Sequence, residues 1–274
     1  MSGPLNVRRV VALVLVGIVG GVLSGLFGVG GGIVMVPLLI MLAGMDQRRA
    51  SATSLVAIVP TSIVGAISYG VAGHVDLVAG IAISAGGIVG SLIGARLLRT
   101  LPIGWLRWLF IALLIVVAIR LFFEVPGRGA GIGYSWYAVA GLVALGLVMG
   151  VASGLFGIGG GVIVVPVLVA LFGASDLLAK GTSLLAIVPA SVTGSIANVR
   201  AHLVSPVDGL LVGVPAALAS FGGTALAFLL PPQLSTNLFA ILILAAVAQM
   251  VYRAVRHRPT PPADADGIAA PAED

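Results

Sequence analysis

Residues 24–37 read Ser-Gly-Leu-Phe-Gly-Val-Gly-Gly-Gly-Ile-Val-Met-Val-Pro, and residues 153–166 read Ser-Gly-Leu-Phe-Gly-Ile-Gly-Gly-Gly-Val-Ile-Val-Val-Pro. Over 24–32 and 153–161 the two differ only at Val29 against Ile158. The step that takes Ser24 to Ser153 also carries Gly17, Gly21 and Gly25 onto Gly146, Gly150 and Gly154. It carries Thr53-Ser54-Leu55 onto Thr182-Ser183-Leu184, Pro60 onto Pro189 and Leu101-Pro102 onto Leu230-Pro231. A register kept this long without a gap marks an internal duplication. Each copy holds a glycine-rich break inside apolar sequence.

The composition places the duplication in a membrane. Hydrophobic residues make up 59% of the chain and charged residues 8%, with a mean hydropathy of +1.21; a soluble domain carries about 25% charged residues. Residues 10–45, 129–175 and 209–252 hold almost no charge, and each run exceeds the ~20 apolar residues that span a bilayer. The lipid bilayer is therefore the first partner. The absence of cysteine rules out disulfides, thiolate metal sites and cysteine nucleophiles. A net charge of +5 does not point to nucleic acid, because the basic residues sit in short loops between spans and report orientation.

The first helix is expected over about 8–27. Arg8 and Arg9 before an apolar run imitate a signal peptide, but the same segment returns at 134–154 as a structural unit, which rules that reading out. Gly17, Gly21 and Gly25, four apart, predict a face for close helix packing. Glycines at 28–32 break the helix, and a short apolar piece containing Pro37 runs to about 44. The loop 45–50 carries Arg48 and Arg49. Spans follow near 50–72, with Pro60 expected to kink it, and near 77–98 and 104–123. The second unit repeats this as a short piece at 161–173 and spans near 181–199, 206–229 and 236–252. The units are residues 1–123 and 134–252, joined by a linker at 124–133, and residues 253–274 form a cytoplasmic tail expected to be disordered.

Charge placement selects a topology. If each glycine break turns a hairpin back to its own side, three net crossings remain per unit. Arg8, Arg9, Arg48, Arg49, Arg96, Arg99, Arg107, Arg200, Arg253, Arg256 and Arg258 then share the cytoplasmic side, and only Arg120, Arg128 and Lys180 fall outside it. With four crossings per unit the basic residues split almost evenly. The positive-inside rule favours the first arrangement. The expected fold is thus an all-α polytopic membrane protein of two inverted repeats, each a glycine-broken helical hairpin followed by three transmembrane helices. Many secondary transporters are built this way, with the substrate near the midplane at broken helices. At ~1.5 Å per residue the first helix can cross completely, so the hairpin tip need not stop at the midplane.

The doubled Gly-Leu-Phe-Gly-hydrophobic-Gly-Gly-Gly, the proline five residues on and the later Thr-Ser-Leu resemble the sulfite exporter TauE/SafE family, also called the 4-toluene sulfonate uptake permeases. The resemblance spans both halves, roughly residues 10–250. It implies a bacterial inner-membrane permease, with cytoplasmic termini by the charge argument, for a small anion such as sulfite, sulfoacetate or a sulfonate, with no cofactor. Arg96, Arg99 and Arg107 align with Ala225, Phe228 and Thr236, so the two units do not contribute a symmetric pair of arginines.

Residue chemistry gives candidate contacts. No Lys-Ser/Thr follows the glycines and no third glycine completes a dinucleotide fingerprint, so soluble nucleotide motifs fail. Gly30, Gly31, Gly32 and their equivalents Gly159, Gly160, Gly161 can expose backbone N–H groups at a helix start, where the dipole favours an anion; the alternative is tight packing or a turn. Ser24, Ser153, Thr53, Ser54, Thr182 and Ser183 are hydroxyls in apolar spans, paired at the repeat offset, with back-bonding to their own helix as the competing role. Asn198, Ser62, Ser191, Ser68 and Ser195 are lesser candidates. His74 and His202, in short loops beside Asp76 and Asp208, are expected at solvated interfaces, and Arg96 is expected to snorkel. No Asp or Glu is expected inside a span, so an acidic proton relay is missing. Uniport and coupling to an ion held by carbonyls and hydroxyls both stay open, and a homo-oligomer is compatible with the sequence. An anion channel or an accessory subunit competes with the permease reading. An intramembrane enzyme lacks a visible catalytic or metal cluster.

Overall fold

The computed structural model describes residues 7–122 and 133–256. Their ten helices repeat in order: α1 (Val7–Phe27), α2 (Gly32–Leu42), α3 (Gln47–Val71), α4 (Leu77–Thr100) and α5 (Ile103–Phe122), then α6 (Trp136–Phe156), α7 (Gly161–Phe172), α8 (Asp176–Arg200), α9 (Pro206–Leu229) and α10 (Pro232–Arg256). Every helix of the second set begins at the repeat equivalent of its counterpart's first residue, Val7 against Trp136 through Ile103 against Pro232. Seven of them are long and apolar enough to cross a membrane, and the chain is a multi-pass membrane protein.

Caps explain where several helices start. Asp46 accepts the Arg49 N–H at 2.9 Å and starts α3, Asp76 accepts the Ala79 N–H at 3.0 Å and starts α4, and Ser175 starts α8. These caps correct the expected boundaries. Arg48 and Arg49 belong to the first turn of α3, not to a loop, and Lys180 lies inside α8, one turn into the helix. The expectation that no acid enters a span also fails, since Asp176 and Asp208 occupy the first turns of α8 and α9. Helix α10 continues through Arg256, so the stretch expected to be disordered begins with helix. The rest of that tail and the linker at 124–132 lie outside the described residues.

The helices swap partners between repeats. α1 packs most closely on α9, and α6 on α4. The four-residue glycine spacing accounts for this: a Cβ at Gly17, Gly21 or Gly25 would collide with the backbone of Val212, Ala216 or Ser220. Gly146, Gly150 and Gly154 bear on Ile83, Gly87 and Ser91 in the same way, and Gly86, Gly90 and Gly94 of α4 answer from the other side. In lipid, helices associate by such close contact because apolar burial alone gives them no advantage over the lipid tails. The buried face of α4 is accordingly almost all Ala, Gly and Ser, while Ile81, Ile88, Val89, Leu92 and Ile93 stay exposed.

Polar contacts gather at two ends of the bundle. At one, Arg9 pairs with Asp208 at 2.6 Å and Arg48 donates to the Leu101 carbonyl at 2.8 Å. At the other, Asp76 N–H donates to the Thr182 hydroxyl at 2.9 Å, Tyr134 bonds the Asp76 carboxylate, and Lys180 donates to Ser235 at 2.9 Å.

Candidate functional site

The two glycine breaks meet in the middle of the molecule. A methyl group built on Gly30 would stand 3.5 Å from Gly159 Cα, and one on Gly159 would stand 3.2 Å from the Val29 carbonyl oxygen. Ile58 of α3 and Ile187 of α8, themselves equivalent positions of the two repeats, close over the pair. Ile58 Cγ2 lies 3.3 Å and Ile187 Cδ1 3.6 Å from the Gly30 position. The short helices α2 and α7 thus start side by side.

Both starts need glycine. Gly31 caps α2 at φ 77° and Gly160 caps α7 at φ 83°, left-handed values that other L residues adopt at a cost. Neither cap has a side-chain hydrogen bond. The first bonds of α2 run from Val34 and Met35 N–H to the Gly31 carbonyl, and those of α7 from Ile163 and Val164 to Gly160. Among the described residues no acceptor meets the N–H groups of Gly30, Gly31, Gly32 and Ile33, or of Gly159, Gly160, Gly161 and Val162. Two helix N-termini with unpaired donors therefore converge, and their dipoles add a positive potential there.

The hydroxyl candidates divide. Ser24, Ser153 and Ser183 are fully buried, with hydroxyls lacking a partner among the described residues. Ser183 Oγ lies 2.9 Å from the Cβ position of Gly161, against the second break. Ser54 instead donates to the Gly157 carbonyl at 2.8 Å. Both threonines of the dyads face away from the breaks: Thr182 accepts the Asp76 N–H, and Thr53 sits 3.7 Å from Met45 Sδ. Ser62, Ser68 and Ser191 bond back to carbonyls of their own helices, whereas Ser195 and Asn198 are buried without partners among the described residues. His74 is half-buried with its ring 5.7 Å from that of Phe228, and His202 and Arg96 are exposed.

Two features escaped the sequence reading. Lys180 is 2% exposed; its Nζ is held by Asp176 at 2.6 Å and Ser235 at 2.9 Å, and its Cα would lie 2.6 Å from a Cβ on Gly28. A cation is thus buried against the first break, neutralised from one turn away. The signal was available in Ser175 as a cap and in the four-residue Asp176-to-Lys180 spacing. The second feature is the pair Ile58 and Ile187, which looked like ordinary apolar filling.

Comparison with known proteins agrees with this architecture. The family model described as sulfite exporter TauE/SafE matches residues 3–121 and 142–272. A probable membrane transporter protein, YunE of Bacillus subtilis (strain 168), is 31% identical over 212 residues, covering 69% of this chain and 77% of its own length. YdhB of the same organism, also a probable membrane transporter protein, is 29% identical over 244 residues, covering 87% and 98%. A probable membrane transporter protein of Xylella fastidiosa (strain 9a5c) is 27% identical over 245 residues, covering 86% and 92%. With both repeats matched and the doubled glycine break at its centre, the chain belongs to the sulfite exporter TauE/SafE family of membrane transporters.

Proposed function

We propose that the chain is a secondary permease for small sulfur-containing or organic anions such as sulfite, sulfonates or sulfoacetate. The observation that carries this reading is the convergence of two helix N-termini with unpaired N–H groups at Gly30 and Gly159. Backbone donors at a helix start favour an anion without needing a buried arginine. Ser183, Ser24 and Ser153 add hydroxyls, and Ile58 and Ile187 exclude water from the pair of breaks. The anion is bound near the midplane, and the protein carries it without chemical change.

In the same proposal the repeats are inverted across a bacterial inner membrane, with both termini cytoplasmic. The two sets of end contacts support this. Arg8, Arg9, Arg48, Arg49, Arg99 and Arg107 lie at the end that holds Asp208 and Leu101, whereas Lys180, ion-paired, and Arg120, in the last turn of α5, lie at the other. Each hairpin, α1–α2 and α6–α7, then returns to the side on which it starts.

Flux into proteoliposomes tests the function. Uptake of sulfite, ethanesulfonate or sulfoacetate should rise with concentration and saturate. A rate that stays linear with concentration favours a channel, and no flux with any of the three favours an accessory subunit.

A further inference from the structure

A cavity of about 100 Å³ lies beside α2 at the arginine-bearing end, between the start of α3 and the facing ends of α5 and α10. Pro37, Ile40, Met45, Ile103 and Met250 form apolar walls, and Asp46, Gln47, Arg107 and Gln249 supply polarity. Gln47 is 2% exposed, and neither its Oε1 nor its Nε2 has a hydrogen-bond partner among the described residues. An amide left in that state destabilises the fold where a leucine would not, so its presence calls for a partner, and the adjoining cavity is where one can sit. Arg107 is half-buried and forms no ion pair among the described residues.

The repeat sharpens the contrast. Asp176 stands where Gln47 stands in the first unit, and Lys180 stands where Ser51 does. In the second unit these residues neutralise each other at 2.6 Å. In the first unit an amide replaces the carboxylate, a serine replaces the lysine, and Arg107 stands at the position of Thr236. Asp46, at the position of Ser175, offsets the charge of Arg107 in the sum, but its Oδ1 is turned to the Arg49 N–H as the cap of α3, so the guanidinium and the Gln47 amide are the donors left to the cavity. A wider recess of about 610 Å³, lined by Arg48, Arg49 and His202, shares Asp46 and Ile103 with the cavity. Asp46, the one carboxylate lining it, is engaged as the cap of α3. The recess therefore presents net positive charge to anions approaching the cavity.

We propose that this cavity is a second anion site, taking a short organic sulfonate or carboxylate before it moves to the glycine breaks. The charged head rests on the Arg107 guanidinium and the Gln47 Nε2–H, and the alkyl part lies against Pro37, Ile40 and Met250. A volume of about 100 Å³ holds several waters, and hence a two-carbon sulfonate. Helix α2 leads from Ile40 at the cavity to Gly31 at the breaks. The proposal rests on the permease reading for the identity of the anion, not for the existence of the site.

Ethanesulfonate binding to the purified full chain, measured by calorimetry in detergent and in neutral-lipid nanodiscs, tests it. Arg107→Gln and Gln47→Leu should each weaken binding by about tenfold or more, as loss of a charge-assisted contact does, and Arg96→Gln should not. Gln47→Leu should also keep or raise the thermal midpoint, which a purely structural glutamine would not allow. If ethanesulfonate binds in this pattern but is not transported, the site stands and that substrate falls. Binding insensitive to both substitutions overturns the proposal, as does no binding at all. Stabilisation by dioctanoylphosphatidylglycerol with none by ethanesulfonate assigns the cavity to lipid and likewise overturns it.

Discussion

Ser54 donates its hydroxyl proton to the Gly157 carbonyl at 2.8 Å, joining α3 of the first repeat to the break of the second. The equivalent hydroxyl of the second repeat, on Ser183, is buried against Gly161 and has no partner among the described residues. One position therefore does different work in the two halves. Ser54→Ala should lower thermal stability by about 1 kcal/mol, the usual net value of a buried hydrogen bond. Ser183→Ala should leave stability within about 0.5 kcal/mol and reduce anion affinity. Equal stability losses in the two variants would mean that Ser183 has a structural partner.

The glycine stripes make a second expectation. Gly150 lies against the Gly87 carbonyl, so Gly150→Leu must separate α6 from α4. No folded monomer should be recovered by size-exclusion chromatography, because the stripe holds the most extensive helix pair in the bundle. Gly104, with nothing within 4 Å of its Cβ position, should accept alanine. There the substitution should stabilise by up to about 1 kcal/mol, since alanine is the better helix former. A well-folded Gly150→Leu would show that the two helices can separate without loss of the fold.

Much of this architecture was legible because the chain states it twice. The constant repeat offset placed ten elements, and the four-residue glycine spacing correctly marked packing faces. Which helix each face meets was not legible. Spacing shows that a backbone approaches at Gly17, but only the three-dimensional fold shows that it belongs to α9. The breaks were visible as glycine clusters, while their meeting at Gly30 and Gly159 depends on the swap. Lys180 was missed because a charge was taken to end a span; in the helix it sits one turn from Asp176, and the two neutralise each other. Gln47 was missed for a related reason, since an isolated amide at a helix start looks like surface. Burial of both came from α5 and α10 covering the hairpins, and no local pattern encodes that.

The Lys180–Asp176 pair gives a third expectation. Lys180→Met leaves Asp176 facing a buried site without its cation and should destabilise by roughly 2 to 4 kcal/mol, moderated by the start of α8, which favours negative charge. Adding Asp176→Asn should restore stability to within about 1 kcal/mol of the parent, as replacement of a whole buried pair often does. Urea or thermal unfolding of the three proteins provides the comparison. If the double variant is no better than Lys180→Met, the lysine acts through Ser235 or Gly28 and not through its ion pair.

Topology can be read by labelling, because the chain has no cysteine of its own. Gly133 and His202 are both exposed and lie outside the helices, at opposite ends of the bundle. Gly133→Cys should react with a membrane-impermeant maleimide on intact spheroplasts. His202→Cys should react only after the membrane is opened. The reverse pattern would turn the protein over, and reaction of both from outside would break the inverted arrangement.

The glycine breaks provide the most direct test of the anion site, and the geometry dictates which glycines to change. Gly31 and Gly160 are poor choices, because a side chain there runs into the Gly20 carbonyl or Met149 and spoils packing regardless of any ligand. Gly30 and Gly159 are tight but not blocked: the nearest atoms to their Cβ positions, Ile58 Cγ2 and the Val29 carbonyl oxygen, lie at 3.3 and 3.2 Å and need yield only a few tenths of an ångström. A methyl group at either enters the space between the two helix starts. Both have φ near 80°, so alanine should lower stability by about 1 to 2 kcal/mol through the left-handed backbone alone. That loss can be measured in the absence of anion and subtracted. If the N–H groups of both breaks hold the substrate, Gly30→Ala and Gly159→Ala should each weaken binding by roughly five- to thirtyfold, as loss of about 1 to 2 kcal/mol of helix-terminus interaction requires. The two effects should fail to add in the double variant, because one anion spans both starts. Parent-like binding by the folded single variants would return the breaks to a packing role and move the search to Ser183 and the cavity at Gln47.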